Sequence, residues 1–394
     1  VSVPSPSNPK TDPRPSDRGG APGAGAALGV GRCFVSPSFD YLLIGGGLSL
    51  PVIALVLAGP DAPVIGPLAA SLDALTTPAL LPVAMLFFST SHFAASTVRL
   101  YTKPGSSESL PFLTMAFPLV ALALLSLCIV ESDTLGHHLR QLYFSWSPFH
   151  YAAQAYGLSI MYCHRSGCSL GVTDKRMIRW ISLMAFFYST ISSGAGLYWI
   201  VPSAVLDSPF VVASFDVVRP LLIGAGVLGP IALWLRLRQR SQTLPAICVL
   251  LLLVNGFWWF ALPATQGFLW ATFFHGIQYL AIVLIFHVKE RLARPDNQHG
   301  LVYHVAWFYG ACMLLAYGLF NCLPQAYSLA GFSLTESLLL VVAAINIHHF
   351  IVDAYIWRQG RQDGNRSVID SDAPLPSGSG DQLPLPSALG AVER

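Results

Sequence analysis

The stretch LPAICVLLLLVNGFWWFALPATQGFLWATFFHGIQYLAIVLIFHVK, residues 244–289, has no charged side chain before Lys289. A helix needs about 20 apolar residues to cross a bilayer. The stretch therefore holds two crossings, near 244–262 and 266–288, joined by a tight Pro-containing turn at Leu262–Gln266. Apolar runs of similar length recur to either side, at about 40–58, 79–98, 110–130, 141–162, 178–201, 217–235, 301–320 and 334–357. The expected fold class is all-α: a polytopic transmembrane helix bundle of about ten spans occupying residues 39–358. The flanks 1–38 and 359–394, rich in Pro, Gly and Ser, read as disordered tails.

Composition agrees with this reading. Of 394 residues, 54% are hydrophobic and 11% charged, against about 25% charged in a typical soluble domain. Positive residues accumulate in cytoplasmic loops. With ten spans, 20 of the 22 Lys and Arg fall on one side together with both tails, and only Arg140 and Arg219 fall on the other. Both termini are thus expected in the cytoplasm, with the chain a multi-pass protein of the cytoplasmic (inner) membrane. No basic stripe or phosphate-binding Gly-rich loop points to nucleic acid or nucleotide. Seven scattered cysteines do not read as a disulfide framework.

Ionisable groups inside spans are costly and mark candidate sites. His92, His150, His275 and His349 lie on the second, fourth, eighth and tenth spans, which all run in the same direction. His349 and Asp353 are four residues apart on one helical face, as are His150 and Gln154. Asn346 extends that stripe, and Gln278 lies three residues after His275. Neutral imidazole suits iron, copper and zinc. The expected metal ligands are therefore His92, His150, His275, His349 and Asp353. Gln154, Gln278, Asn346 and His348 are candidates for supporting or substrate-binding roles. His287 and His304 sit near helix ends where snorkelling is easy. His137, His138 and His299 read as solvated loop residues, and Cys163-His164 with Cys168 lacks the second pair a closed zinc site needs.

The blocks Phe39–Gly47, Ser91–Ser96, Phe149–Gly157 and Asn346–Asp353 with Trp357 resemble blocks in uncharacterised bacterial polytopic membrane proteins, a resemblance that carries no activity with it. Single histidines on separate spans are also similar in style to the Brp/Blh-type membrane carotenoid dioxygenases, which bind iron through histidines within the bilayer. No residue role carries over from either group, and the HxxxH and HxxHH boxes of membrane desaturases are absent.

The function expected first is an iron-dependent (non-haem) oxidoreductase acting on a lipid or isoprenoid, with the bilayer and a lipophilic small molecule as partners. The alternatives are a transporter or proton-relay protein using the same residues, a b-type haem protein, and a non-catalytic scaffold with polar interhelical glue.

Overall fold

A computed structural model describes residues 28–61, 63, 66–75, 81–103, 106–194, 196–359 and 368–370. These are almost wholly helical, with no strand among the described residues. We number ten principal helices. The first, α1, is a pair, Pro37–Ile44 and Ser49–Ala58, bent by 49°. Then follow α2 Leu81–Thr102 and α3 Phe112–Val130, with α4 His137–Arg165 and α5 Val172–Ser193. The series ends with α6 Pro209–Gln239, α7 Ala246–Phe260, α8 Ala264–Leu292, α9 Leu301–Leu329 and α10 Leu334–Gln359.

Each apolar run in the sequence has its helix. Six of them, α2, α3, α6, α8, α9 and α10, are long and apolar enough to cross a membrane, and the bent α1 pair makes a seventh if it counts as one span. The chain is a membrane protein with several spans. Its outer surface agrees, since Phe210, Leu221, Val302 and Leu314 all lie exposed. The 29-residue α4 and 22-residue α5 reach about 44 and 33 Å at 1.5 Å per residue. They are less apolar because α5 opens on Asp174, Lys175, Arg176 and Arg179 and α4 carries Arg140, His150 and Gln154; both also turn serines inward, with Ser147, Ser159, Ser182 and Ser189 buried. The 15-residue α7 covers only about 22 Å.

Two groups of helices pack together. One comprises α4, α5, α6 and α7; the other comprises α2, α8, α9 and α10, with α3 beside α10. They join where α4 meets α10 and α8, and where α5 and α7 meet α8. Consequently α2, α8, α4 and α10 form a closed ring of neighbours. The central helix is α8, buried on all sides through most of its length. That is why its hydrophobicity shows no one-sided face.

One end of the bundle gathers the basic connections. Arg291 donates to the Thr102 carbonyl at 2.9 Å, and Arg99 pairs with Glu290 at 2.9 Å. Asp174, at the start of α5, is held by Arg236 at 2.8 Å and by Arg240. Arg165 donates to the carbonyls of Cys33 and Ile369. The Cys33 contact belongs to a segment read from sequence as part of a disordered tail. Residues 28–36 are instead an ordered strap. Gly29 bridges to Pro245, and Phe34 is buried. The buried Asp40 carboxylate accepts from the N–H groups of Phe34, Val35 and Ser36 and from the Tyr162 hydroxyl. A carboxylate with four donors can stand buried where an unpaired one could not, and it ties the strap to α4. Val368–Asp370 likewise dock, with Val368 buried. Residues 1–27 and the rest of the tail read at 359–394 lie outside the described residues, apart from Gln359, which ends α10.

Candidate metal centre

The ring of four helices aligns one histidine from each. Ring centroids of His92 and His275 are 5.1 Å apart, and those of His92 and His349 also 5.1 Å. His150 lies 5.0 Å from His275 and 5.1 Å from His349. All four contacts are edge-to-face. The structure thus brings together the four histidines singled out from the sequence. Ligand atoms of His92, His275 and His349 lie within 4.8 Å of one another, as do those of His150, His349 and Asp353. Two overlapping triads therefore share His349.

The spacing fits an ion. A metal about 2.0–2.1 Å from each nitrogen sits ~3.2 Å from each ring centroid, so adjacent rings lie about 4.6 Å apart in a square arrangement and ~5.3 Å in a tetrahedral one. The observed separations of 5.0–5.1 Å fall between these limits.

Local structure sets which nitrogen faces inward. Leu86–Thr90 is a single π-helical turn within α2, a distortion frequent at functional sites. The carbonyl of Ser89, in that turn, receives Nδ1–H of His92. A carbonyl only accepts, so the proton is on Nδ1 and the Nε2 lone pair is free. Nδ1 of His349 lies 3.0 Å from Ser96 Oγ, whose own hydroxyl donates to the Phe93 carbonyl. His349 must then donate from Nδ1, again leaving Nε2 bare. Nε2 of all four histidines, and Nδ1 of His275 as well, is buried without a hydrogen-bond partner among the described residues. Leaving a buried polar atom unsatisfied costs about 1–3 kcal/mol. Several such atoms gathered in two overlapping triads form a donor set suited to a metal ion.

Gly276 makes the approach of α2 to α8 possible. A Cβ there would collide with the Phe88 carbonyl oxygen and stand 2.8 Å from His92 Nδ1. Aromatic rings fix the other histidines. His150 stacks on Phe350 at 4.3 Å, and Tyr151 covers His275 at 4.3 Å.

Asp353 Oδ2 lies 3.7 Å from His349 Nε2, while Oδ1 accepts from the Tyr279 hydroxyl. Tyr279 also sits 5.0 Å from the His349 ring. Gln154 donates to Gln278 at 3.3 Å, and Gln278 donates to the Ile44 carbonyl at 3.0 Å. These two glutamines link α4, α8 and α1 beside the cluster. Asn346 is buried; its amide N–H donates back to Val342 on its own helix, and its oxygen has no hydrogen-bond partner among the described residues. His348 stacks on Phe117 of α3, on a different face of α10.

Outside the cluster, two expectations change. His287 and His304 are buried rather than snorkelled, with their rings 6.4 Å apart and His304 bonded to Asn297 at 2.7 Å. His137 and His138 are exposed as expected, but they begin α4 rather than occupying a loop. Cys163 and Cys168 are buried while His164 is exposed against Asp370, so these three do not converge.

Ser89, Ser96, Gly276 and Tyr279 were not foreseen. Their spacing could have found them: Ser96 lies four residues after His92, Ser89 three before it, and Tyr279 four after His275, all on shared faces. An apolar cavity of about 430 Å³ adjoins the cluster, with His150, Gln154, Tyr279 and Asp353 in its wall. Comparison with models of known protein families, with curated proteins and with solved structures found no match.

Proposed function

We propose that the chain is a ten-span protein of the cytoplasmic membrane whose histidine centre holds iron and supports oxidative chemistry on a lipid or isoprenoid. The observation that carries this reading is a ring of four histidines with adjacent ring centroids 5.0–5.1 Å apart, each with its Nε2 buried and without a hydrogen-bond partner among the described residues. Imidazole alone would also suit copper or zinc. The second triad favours iron, because two histidines and one carboxylate are the donor set of non-haem iron oxygenases. Iron so held supplies one-electron and dioxygen chemistry.

The protein's own residues do the rest. Ser89 and Ser96 lock two imidazole tautomers, which keeps the lone pairs on the centre. Tyr279 orients Asp353 and places a hydroxyl proton against its carboxylate. The apolar cavity excludes water and receives a lipophilic substrate. Rings in contact at 5.0–5.1 Å leave no porphyrin-sized slot between neighbours, which argues against haem within the cluster.

Ten spans follow if α1, α4, α5 and α7 cross along with the six long apolar helices. The gathering of Arg99, Arg165, Arg236, Arg240 and Arg291 at one end supports that count and a cytoplasmic placement for that end.

Metal analysis with an absorption spectrum on gently purified protein tests the centre. Iron near one equivalent without a Soret band is the expected result. A Soret band would establish haem instead. No metal, even after reconstitution with iron, would sink the proposal and leave the Tyr279–Asp353–His349 chain as a proton relay or as packing.

A further inference from the structure

The cavity beside the histidines is not closed on its outer side. Phe149, Ala153 and Gly157, at successive four-residue intervals along α4, are all exposed, and so is Ala354 facing them from α10. Small side chains on both helices leave a gap between them. A Cβ at Gly157 would meet nothing within 4 Å. If α4 and α10 both cross the bilayer, what stands outside that gap is hydrocarbon rather than water.

The cavity is also long. Its α4 wall runs from Trp146 to Met161, which is about 22 Å at 1.5 Å per residue. Its volume of about 430 Å³ lies within the usual range for small-molecule sites, about 300–1,000 Å³. Its polar groups, His150, Gln154, Tyr279 and Asp353, belong to the inner wall, and the remainder is apolar. His150 does not sit at the middle. Roughly 6 Å of the wall lies beyond it toward Trp146, and roughly 16 Å runs the other way, toward the end of α4 that carries Arg165.

We infer that this cavity is a lateral slot that admits one linear hydrocarbon chain, acyl or polyene, from the bilayer and lays it along α4 past His150. The inference rests on the proposed membrane crossing of α4 and α10 and deepens the proposed function by naming the shape of its substrate. A chain entering tail first has its polar head near the Arg165 end, where Ile369 completes the wall. Its reacting position then lies well down the chain, about 16 Å from the head. A short chain cannot fill the slot, and a bulky fused-ring lipid cannot lie along it.

The test uses cis-parinaric acid, a linear eighteen-carbon fluorescent polyene, with the full-length protein in detergent. Trp146 and Trp357 line the slot and serve as energy-transfer donors. The expected result is saturable transfer at one probe per chain, displaced by oleate and not by octanoate. Gly157→Leu and Ala354→Leu fill the gap from opposite helices. Each should weaken binding by about tenfold, as when two methylenes lose their burial. Metal content and thermal midpoint, measured on the same samples, show whether each variant is folded, and displacement by oleate in the wild type needs no variant at all. Transfer that never saturates, displacement by octanoate as easily as by oleate, or undiminished binding in both folded variants overturns the slot. Saturable binding by protein that takes up no metal would uphold the slot and sink the iron centre, while metal without chain binding would do the reverse.

Discussion

Nδ1 of His349 lies 3.0 Å from Oγ of Ser96, a residue 253 positions earlier in the chain. The contact spans two helices and determines which imidazole nitrogen is left to serve the proposed centre. Because the Ser96 hydroxyl already donates to the Phe93 carbonyl at 3.1 Å, its oxygen is left as the acceptor for His349. Ser96→Ala removes that acceptor without adding bulk. Losing such an outer partner typically costs 10–100-fold in metal affinity. Metal titration of the variant should show a loss of about that size, with expression and thermal midpoint of the metal-free protein changed little. Unaltered affinity would mean that Ser96 only packs.

Gly276 tests the fit of α2 against α8. Alanine would drive a methyl into the Phe88 carbonyl and against His92 Nδ1. Overpacking of this kind costs typically 1–3 kcal/mol. Here it also pushes His92 out of its place against His275 and His349. Gly276→Ala should therefore lower both the thermal midpoint and the metal content, whereas Gly310→Ala, which meets nothing within 4 Å, should lower neither. Equal behaviour of the two variants would remove the case for a required close approach.

Much of this arrangement was legible from spacing. Four histidines at related depths on helices running the same way could meet, and His349 with Asp353 had to share a face. What periodicity could not supply was the facing of each helix. A helix buried all round, such as α8, has no polar side to orient it, so the inward turn of His275 is settled only by its neighbours. Asn346 belongs to the stripe with His349 and Asp353, and spacing could not say that its amide N–H would donate to Val342 while its oxygen stays buried without a partner among the described residues. The strap at residues 28–36 was hidden because it has tail-like composition. Its order comes from Asp40 and Tyr162, a tertiary contact that no local pattern announces. His287 is buried for a related reason, since Trp307 and Phe308 of α9 cover a position that looks accessible on α8 alone, while His304 is held by Asn297.

The proposed ten-span topology makes a separate prediction. Tags at either terminus should be reachable only from the cytoplasm. A cysteine at Asp207, in the connection between α5 and α6, should react with an impermeant thiol reagent in intact cells, and one at Gln242, beyond α6, should react only after permeabilisation. Swapped labelling would invert the orientation. Labelling of both sites from one side would mean that α6 does not cross, against its 31 apolar-rich residues.

The sharpest dissection of the centre uses His349 and Asp353. His349 belongs to both triads, so its loss takes a ligand from each. His349→Ala should abolish metal binding while leaving membrane insertion and yield largely intact, because the apolar residues of α10 that drive insertion are untouched. Asp353 is less central: its Oδ2 stands 3.7 Å from His349 Nε2, and its other oxygen is taken by Tyr279. Asp353→Asn keeps the shape and removes the charge. If the carboxylate only supports His349, affinity should fall about 10–100-fold; a larger loss would make it a direct ligand. Tyr279→Phe separates these cases further. It frees Asp353 Oδ1 from its donor, so affinity should change by less than in Asp353→Asn whichever role the carboxylate has. Should Tyr279→Phe abolish metal binding outright while the protein remains folded, the tyrosine would be a ligand itself, and the assignment of the centre to four histidines with one carboxylate would have to be redrawn.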